Sequence, residues 1–228
     1  RTVPAALKAI KDHQQQLENL VAVAELLHRQ RLSQGSIDLD LGLPAIDSLG
    51  DLAVPGPDSP LHGWFVQLPM HHPMALAREC VLVAERALGQ HLTALSLPAL
   101  FGTNAAADPN DLNDVAKAAL ALDIPLELSE EGDASAAELA AAFATTDRNR
   151  ALQQQLQGAL KPILLASETA DHALAGLKGD GAALAPWCSP ALHYADLWNQ
   201  HVLVLLLTEG KDRPSVRHKT SVDLSSDA

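Results

Sequence analysis

Residues 188–201 read Cys188-Ser-Pro-Ala-Leu-His-Tyr-Ala-Asp-Leu-Trp-Asn-Gln-His201. A hydroxyl residue followed by proline is a common way to begin a helix: the hydroxyl accepts from an orphan backbone N–H, and proline loses no bond at the first helical position. Ser189 is therefore expected to cap a last helix that runs from Pro190 to about Leu207. The segment also concentrates reactive side chains. Ser189, His193 and Asp196 fall at i, i+4 and i+7, on one face of such a helix, and superficially suggest a nucleophile set. A catalytic triad needs members converging from separate elements, so a cap is the better account of Ser189. Trp187 and Trp198 flank the centre. Aromatic rings stack on bases in single-strand channels, but in a chain with 3% aromatic residues core packing is the ordinary use.

Outward from this segment, the chain reads as helices with a few strands. Leu17, Leu20, Val21, Ala24 and Leu27 recur at helical spacing to about Arg31, and Gln34-Gly35 stops the helix. Ser36–Leu41 alternates apolar Ile37, Leu39 and Leu41 with Asp38 and Asp40, as a half-buried strand does, with both aspartates on its solvated face. Leu49–His62 is a loop rich in Pro and Gly. Trp64–Leu68 is a second strand, Pro73–Leu95 a strong amphipathic helix, and Leu97–Phe101 a short strand. Asp108-Pro109 starts a helix to about Leu122, and Ser135 with Glu138 has capping-box spacing. A helix over Arg148–Leu160 and a strand over Ile163–Ala166 follow. Gly176–Gly181 is a flexible turn, not a phosphate loop.

The bulk numbers limit the function. The 228 residues are 47% hydrophobic, enough for a sizeable core of Leu, Ala and Val. Sixteen basic against 28 acidic residues give a net charge of −12, the wrong sign for gripping a nucleic-acid backbone by charge alone. Two cysteines, Cys80 and Cys188, lie far apart and form no zinc pattern, as expected of reduced thiols in a cytoplasmic protein. There is no His-Glu-x-x-His among the ten histidines. The longest apolar stretch, Val202–Leu207, is much too short to span a bilayer, so no membrane partner is expected.

Residues 188–201 resemble the Thr-Ser-Pro-Ile-Arg-Arg/Lys-Tyr-x-Asp-Leu-x-x-His-Arg signature of the exoribonuclease II (RNB) catalytic domain. Ser189, Pro190, Tyr194, Asp196 and Leu197 fit, and Asn199 is common in the family at its position. Leu192 stands where the family's catalytic arginine would be, His193 at the second basic residue, and Gln200-His201 in place of the closing His-Arg. The resemblance extends along the chain in order. Gly35-Ser-Ile-Asp-Leu39 is similar to Gly-Ala-Leu-Asp-Leu, and Leu76-Ala-Arg-Glu-Cys80 to Leu-Val-Glu-Glu-Cys, with Glu79 matching the second glutamate. Arg78 replaces the first glutamate and Glu85 a later asparagine. Pro98-Ala-Leu-Phe101 is similar to a Pro-Ala-Leu-Tyr strand, although Gly102, Thr103 and Asn104 replace the usual Arg-Val-His. The matches are mostly scaffold residues, and the mismatches are mostly polar.

What the resemblance implies is an α+β, helix-dominated RNB-like domain over 1–211, a mixed sheet flanked by long helices, with 212–228 a polar tail. The family degrades RNA from its 3′ end with magnesium held by converging aspartates, while an arginine neutralises the charge developing on phosphate. Nothing like the family's Asp-x-x-x-x-x-Asp-x-Asp-Asp occurs in this sequence. Asp38 and Asp40 are the closest pair, so no metal ligands are assigned and no cofactor is expected for this chain alone. The resemblance points to Ser189, His193, Tyr194 and Asp196 as the signature region and to Glu79, Tyr194 and Trp187 as RNA contacts. Against that, an exposed helical glutamate and a structural hydrogen bond from Tyr194 or Asp196 are the plain alternatives.

The expected function is part of a module acting on single-stranded RNA, 3′ to 5′, with little or no catalysis by this chain. Its partners would be RNA, not DNA, and an upstream RNB segment or another protein; the start at Arg1 fits a piece of a longer polypeptide. The alternative is a non-catalytic scaffold that binds a protein. An unrelated hydrolase built on Ser189 is a third class without a pocket to support it.

Overall fold

The structure, a computed structural model, describes residues 11–41, 63–69, 72–126, 134–147 and 149–209. The expected loop at 49–62 and the polar tail at 212–228 lie outside these residues.

Two long helices form the frame, α1 (Gln14–Ser33) and α2 (Pro73–Ala94), packed on one another. α2 begins where its sequence dictates: the His72 ring accepts the Met74 N–H at 3.2 Å, and Pro73 takes the first helical position. α1 stops at Gly35, whose φ of +88° lets the chain reverse where an L residue would be strained. α2 lies directly on the 183–185 segment because Gly89 has no side chain. A Cβ there would run into the Ala183 carbonyl oxygen.

β1 (Phe101–Thr103) and β2 (Leu164–Ala166) pair antiparallel, with Phe101 opposite Ala166 and Thr103 opposite Leu164. The Gly102 N–H also donates to the Leu184 carbonyl at 2.8 Å, so β1 is held from both sides. The helix-dominated α+β class stands, but its strand content is smaller than the alternation suggests. Ser36–Leu41 and Trp64–Leu68 meet only in a parallel bridge between Leu39 and Val66. The Leu97–Phe101 strand begins at Phe101, and the Ile163 strand at Leu164. The shortfall has a physical reason at Asp38, whose side chain is pulled inward by arginines instead of lying on a solvated strand face.

Three shorter helices follow the sequence closely: α3 (Pro109–Leu120), α4 (Ala136–Ala144) and α5 (Asn149–Ala159). Asp108 caps α3 through the Asn110 N–H at 2.8 Å. The Ser135–Glu138 capping box closes in both directions, at 3.1 and 3.2 Å. The apolar faces of α3, α4 and α5 enclose Leu112, Leu139, Phe143, Leu152 and Leu156 with Ile37, Leu39 and Leu174 in the main core. A second core, Leu92, Leu97, Phe101, Ala185, Val202 and Leu206, joins α2 to the last helix, α6 (Tyr194–Glu209).

Two single 3-10 turns, Ala173–Ala175 and Gly179–Gly181, replace the expected flexible turn. Gly176 is fixed there in the left-handed region at φ +67°, and a Cβ would lie 2.5 Å from the Gln34 carbonyl oxygen.

Candidate functional site

The signature segment folds as a turn followed by α6, and this corrects the expected helix start. α6 begins at Tyr194, not Pro190, so Ser189 is not its N-cap. The Ser189 carbonyl accepts from the Leu192 and His193 N–H groups at 2.9 and 3.0 Å, closing a tight turn. The Ser189 backbone N–H donates to Asp196 Oδ1 at 2.8 Å. Asp196 is 5% exposed and ties the turn to the first turn of α6. The Ser189 hydroxyl lies 3.6 Å from Cys188 Sγ. One Asp196 carboxylate oxygen is thus taken by the backbone of the turn.

Asn199 is the second clamp. Its side chain is wholly buried, accepts the Leu100 N–H at 2.9 Å and donates to the Leu100 and Pro186 carbonyls at 2.8 Å each. Gln200 donates to the Trp187 carbonyl at 2.6 Å. These bonds join α6, the entry to β1 and the segment before the turn. Outside this skeleton, Leu192, Tyr194 and Leu197 face solvent at 55%, 69% and 52% exposure. Trp187 is half-buried, with its indole Nε1 enclosed and unpaired. The face is apolar and aromatic where the resemblance calls for arginine.

Glu79 occupies a different place from the one expected. It is 2% exposed, at the centre of an ion cluster between α1 and α2, which rules out the alternative of an exposed helical glutamate. Arg31 donates to Glu79 Oε1 at 2.8 Å and Oε2 at 3.1 Å, and to Asp38 at 2.6 and 3.0 Å. It also donates to the Ser36 hydroxyl at 2.6 Å, and its guanidinium lies 5.4 Å above the Phe65 ring centre. Arg78 bridges the same two acids at 3.0 and 3.1 Å and donates to the Val66 carbonyl. His28 Nδ1 sits 3.2 Å from Glu79 Oε1. Burial alone would raise the Glu79 pKa, but the hydrogen bonds and charges of Arg31 and Arg78 outweigh it and hold the carboxyl below its usual range. Burial likewise works against the Arg31 charge, and Asp38 and Glu79 more than restore it. With its oxygens engaged this way, Glu79 ties α2 to α1. Asp40 is also occupied, accepting from Asn149 at 2.6 Å.

The signal for this cluster was present in the sequence. Arg31 continues the Ala24–Leu27 stripe of α1, so a cation sits on the buried face, and a buried cation needs an acid. The identity of that acid, 48 residues away, was not readable.

A third group of acids lies under the signature. Burial first, and then the neighbouring Asp196 charge, push the Glu85 carboxyl up to about 8. Burial also raises the Cys188 thiol; the Ser189 hydrogen bond opposes this, while the charges of Glu85 and Asp196 add to it.

The RNB domain model matches residues 2–209. The chain belongs to the RNB domain family. It is 31% identical over 210 residues to the acetazolamide conferring resistance protein zam of Synechocystis sp., covering 90% of this chain and 25% of that protein. Among solved structures, Mycoplasma genitalium RNase R in complex with ribose-methylated single-stranded RNA is similar at 14% identity and TM-score 0.58, over 88% of this chain and 30% of that one. Yeast Ssd1, a pseudonuclease, is similar at 12% identity and TM-score 0.58, over 86% of this chain and 23% of that one. At such identities the RNB likeness is one of fold. The chain spans between about a quarter and a third of the length of these relatives.

RNB nucleases are typically metal-dependent, and the described residues of this chain do not fit the metal. Among the described residues no three His, Cys, Asp or Glu side chains converge as a ligand set. Asp38 and Glu79 are neutralised by two arginines, whose charge repels a cation, and one Asp196 oxygen is taken by a backbone N–H. The described side chains therefore offer magnesium no seat. Among the described residues no helix is long and apolar enough to cross a membrane.

Proposed function

We propose that this chain is the C-terminal part of an RNB module that engages single-stranded RNA, degraded 3′ to 5′ by the complete family, and that alone it does not cleave RNA. The observation carrying this reading is the contrast within one segment. Asp196 and Asn199 keep the signature's backbone folded, while the exposed positions carry Leu192, Tyr194 and Leu197 and no cation. A phosphate at that face would meet nothing to neutralise the charge that builds up during hydrolysis, a loss worth orders of magnitude in rate. The RNA complex of the structurally similar RNase R supports the choice of ligand. The domain extends over 1–211, with 212–228 a tail. A complete site would need metal ligands from an upstream RNB segment or another chain. We place the protein in the cytoplasm, consistent with its two unpaired cysteines.

The pseudonuclease likeness favours a second reading, a non-catalytic scaffold that binds a protein. Titrating fluorescent single-stranded RNA with the purified chain separates the two. Saturable binding, with DNA of the same sequence bound more weakly, supports the RNA reading. No binding at any protein concentration up to the solubility limit rules it out and leaves the scaffold.

A further inference from the structure

The outer edge of the small sheet carries an inference that goes beyond the readings above. The Gly102 N–H donates to the Leu184 carbonyl, so Gly102 turns its backbone groups away from β2. Opposed residues in an antiparallel ladder alternate between bonded and unbonded pairs. Phe101–Ala166 and Thr103–Leu164 are therefore the bonded pairs, and Leu165, opposite Gly102, points its N–H and C=O outward. Ile163, two residues earlier, faces the same way, and its N–H donates to the Gly63 carbonyl at 3.4 Å. At Leu165 no described residue takes either backbone group. The side chains are open as well: Leu164 is 63% and Leu165 57% exposed, on opposite faces of the strand.

Proteins blunt such an edge with charges, proline or a bulge, because it otherwise templates another strand. Residues 163–167, Ile-Leu-Leu-Ala-Ser, carry no charge and no proline. What fits the Leu165 slot is an extended polypeptide that offers both a carbonyl and an N–H. The flanking charges choose which strand. Lys161 precedes the edge and Glu168 follows it, both exposed, and Lys161 lies 4.0 Å from Asp111, at the limit of an ion pair. An antiparallel copy of the same strand, centred on Leu165, brings Lys161 of each copy to the end that carries Glu168 of the other. A parallel copy would set like charges side by side. The twofold arrangement lets each Leu165 N–H donate to the Leu165 carbonyl of the other copy and sets Leu164 opposite Ala166. It closes at two, since Leu184 occupies the far side of β1. We infer that β2 pairs with β2 of a second copy of this chain, antiparallel about Leu165.

The 3 strand residues on each side fall far short of the roughly 20–30 residues of a stable interface, so the dimer is weak and depends on concentration. Sedimentation velocity of the full chain from about 10 µM to about 1 mM is expected to show monomer passing into dimer. Leu165→Lys should weaken the dimer roughly tenfold or more, because each lysine then lies directly opposite its own mate. Lys161→Glu and Glu168→Lys should each weaken it, and the double exchange should restore it to within about twofold of wild type. Circular dichroism checks that each variant folds. A wild-type chain that stays monomeric at the highest concentration overturns the proposal and leaves the edge to a strand of another protein. A dimer indifferent to Leu165→Lys puts the contact on another face and overturns it too. Loss on the single charge reversals without recovery in the double exchange overturns the antiparallel pairing.

Discussion

Arg31 lies between the Glu79 and Asp38 carboxylates and over the Phe65 ring, joining the end of α1 to the middle of α2 and to the bridge at Leu39. Such a pair stabilises little in net terms, because both charges had to leave water. Removing one partner is costly, because the other charge stays buried. Arg31→Met is expected to lower stability by about 3–5 kcal/mol, with Arg78 left as the main counter-charge, as read by urea unfolding. A loss below about 1 kcal/mol would mean that the cluster is open in solution. Leu192 is the opposite case. At 55% exposure on a turn, Leu192→Arg should leave the unfolding midpoint within error. It should also fail to produce magnesium-dependent RNA shortening, because among the described residues no metal-ligand set stands beside a restored cation. Shortening by Leu192→Arg would locate ligands not recognised in the fold.

A buried histidine in the turn after β2 and a half-buried glutamate on α2 give the elements opposite responses to pH. His172 is 1% exposed, stacks on Phe65 at 5.9 Å and accepts the Ala175 N–H at 3.1 Å, which requires a neutral ring. Burial lowers its pKa from 6.5 to about 4. The unfolded chain takes up a proton there that the folded chain refuses. The contribution of His172 is therefore present above pH 6.5 and lost as pH falls toward 4, on the order of 3 kcal/mol in all. Glu85 works the other way: with its pKa raised to about 8, it keeps a proton that the unfolded chain releases near 4.5, so stability falls as pH rises through that window. The two slopes partly cancel in the wild type and separate in variants. Glu85→Gln should show stability rising from pH 4 to 6.5, and His172→Phe should show it falling from pH 4.5 to 8, both by chemical denaturation across pH. Parallel pH profiles for the two variants would contradict the assignment.

Across the molecule, the legible parts of the fold were the local ones. Helix starts at Pro73, Asp108 and Ser135 follow from caps and prolines a few residues apart, and the structure places them where the sequence does. The sheet was overestimated because alternation records a half-buried segment, whereas a strand also needs a partner beside it, and Ser36–Leu41 has only the bridge at Leu39. Ser189 was misread for a related reason. Ser-Pro also suits a tight turn, and the pull of Asp196 on its backbone N–H decides between turn and cap. The family was legible because scaffold residues such as Asp196 and Asn199 survive in order along the chain. The role of Glu79 was not, since its partner Arg31 is 48 residues away and only the packing of α1 on α2 brings them together.

Whether this RNB scaffold has kept its skeleton without the chemistry can be read from a denaturing gel. The purified chain is incubated with 3′-overhanging single-stranded RNA and magnesium, and products are followed over time. RNA of unchanged length throughout is the expected result. A ladder of products shortening stepwise from the 3′ end, dependent on magnesium, would contradict it.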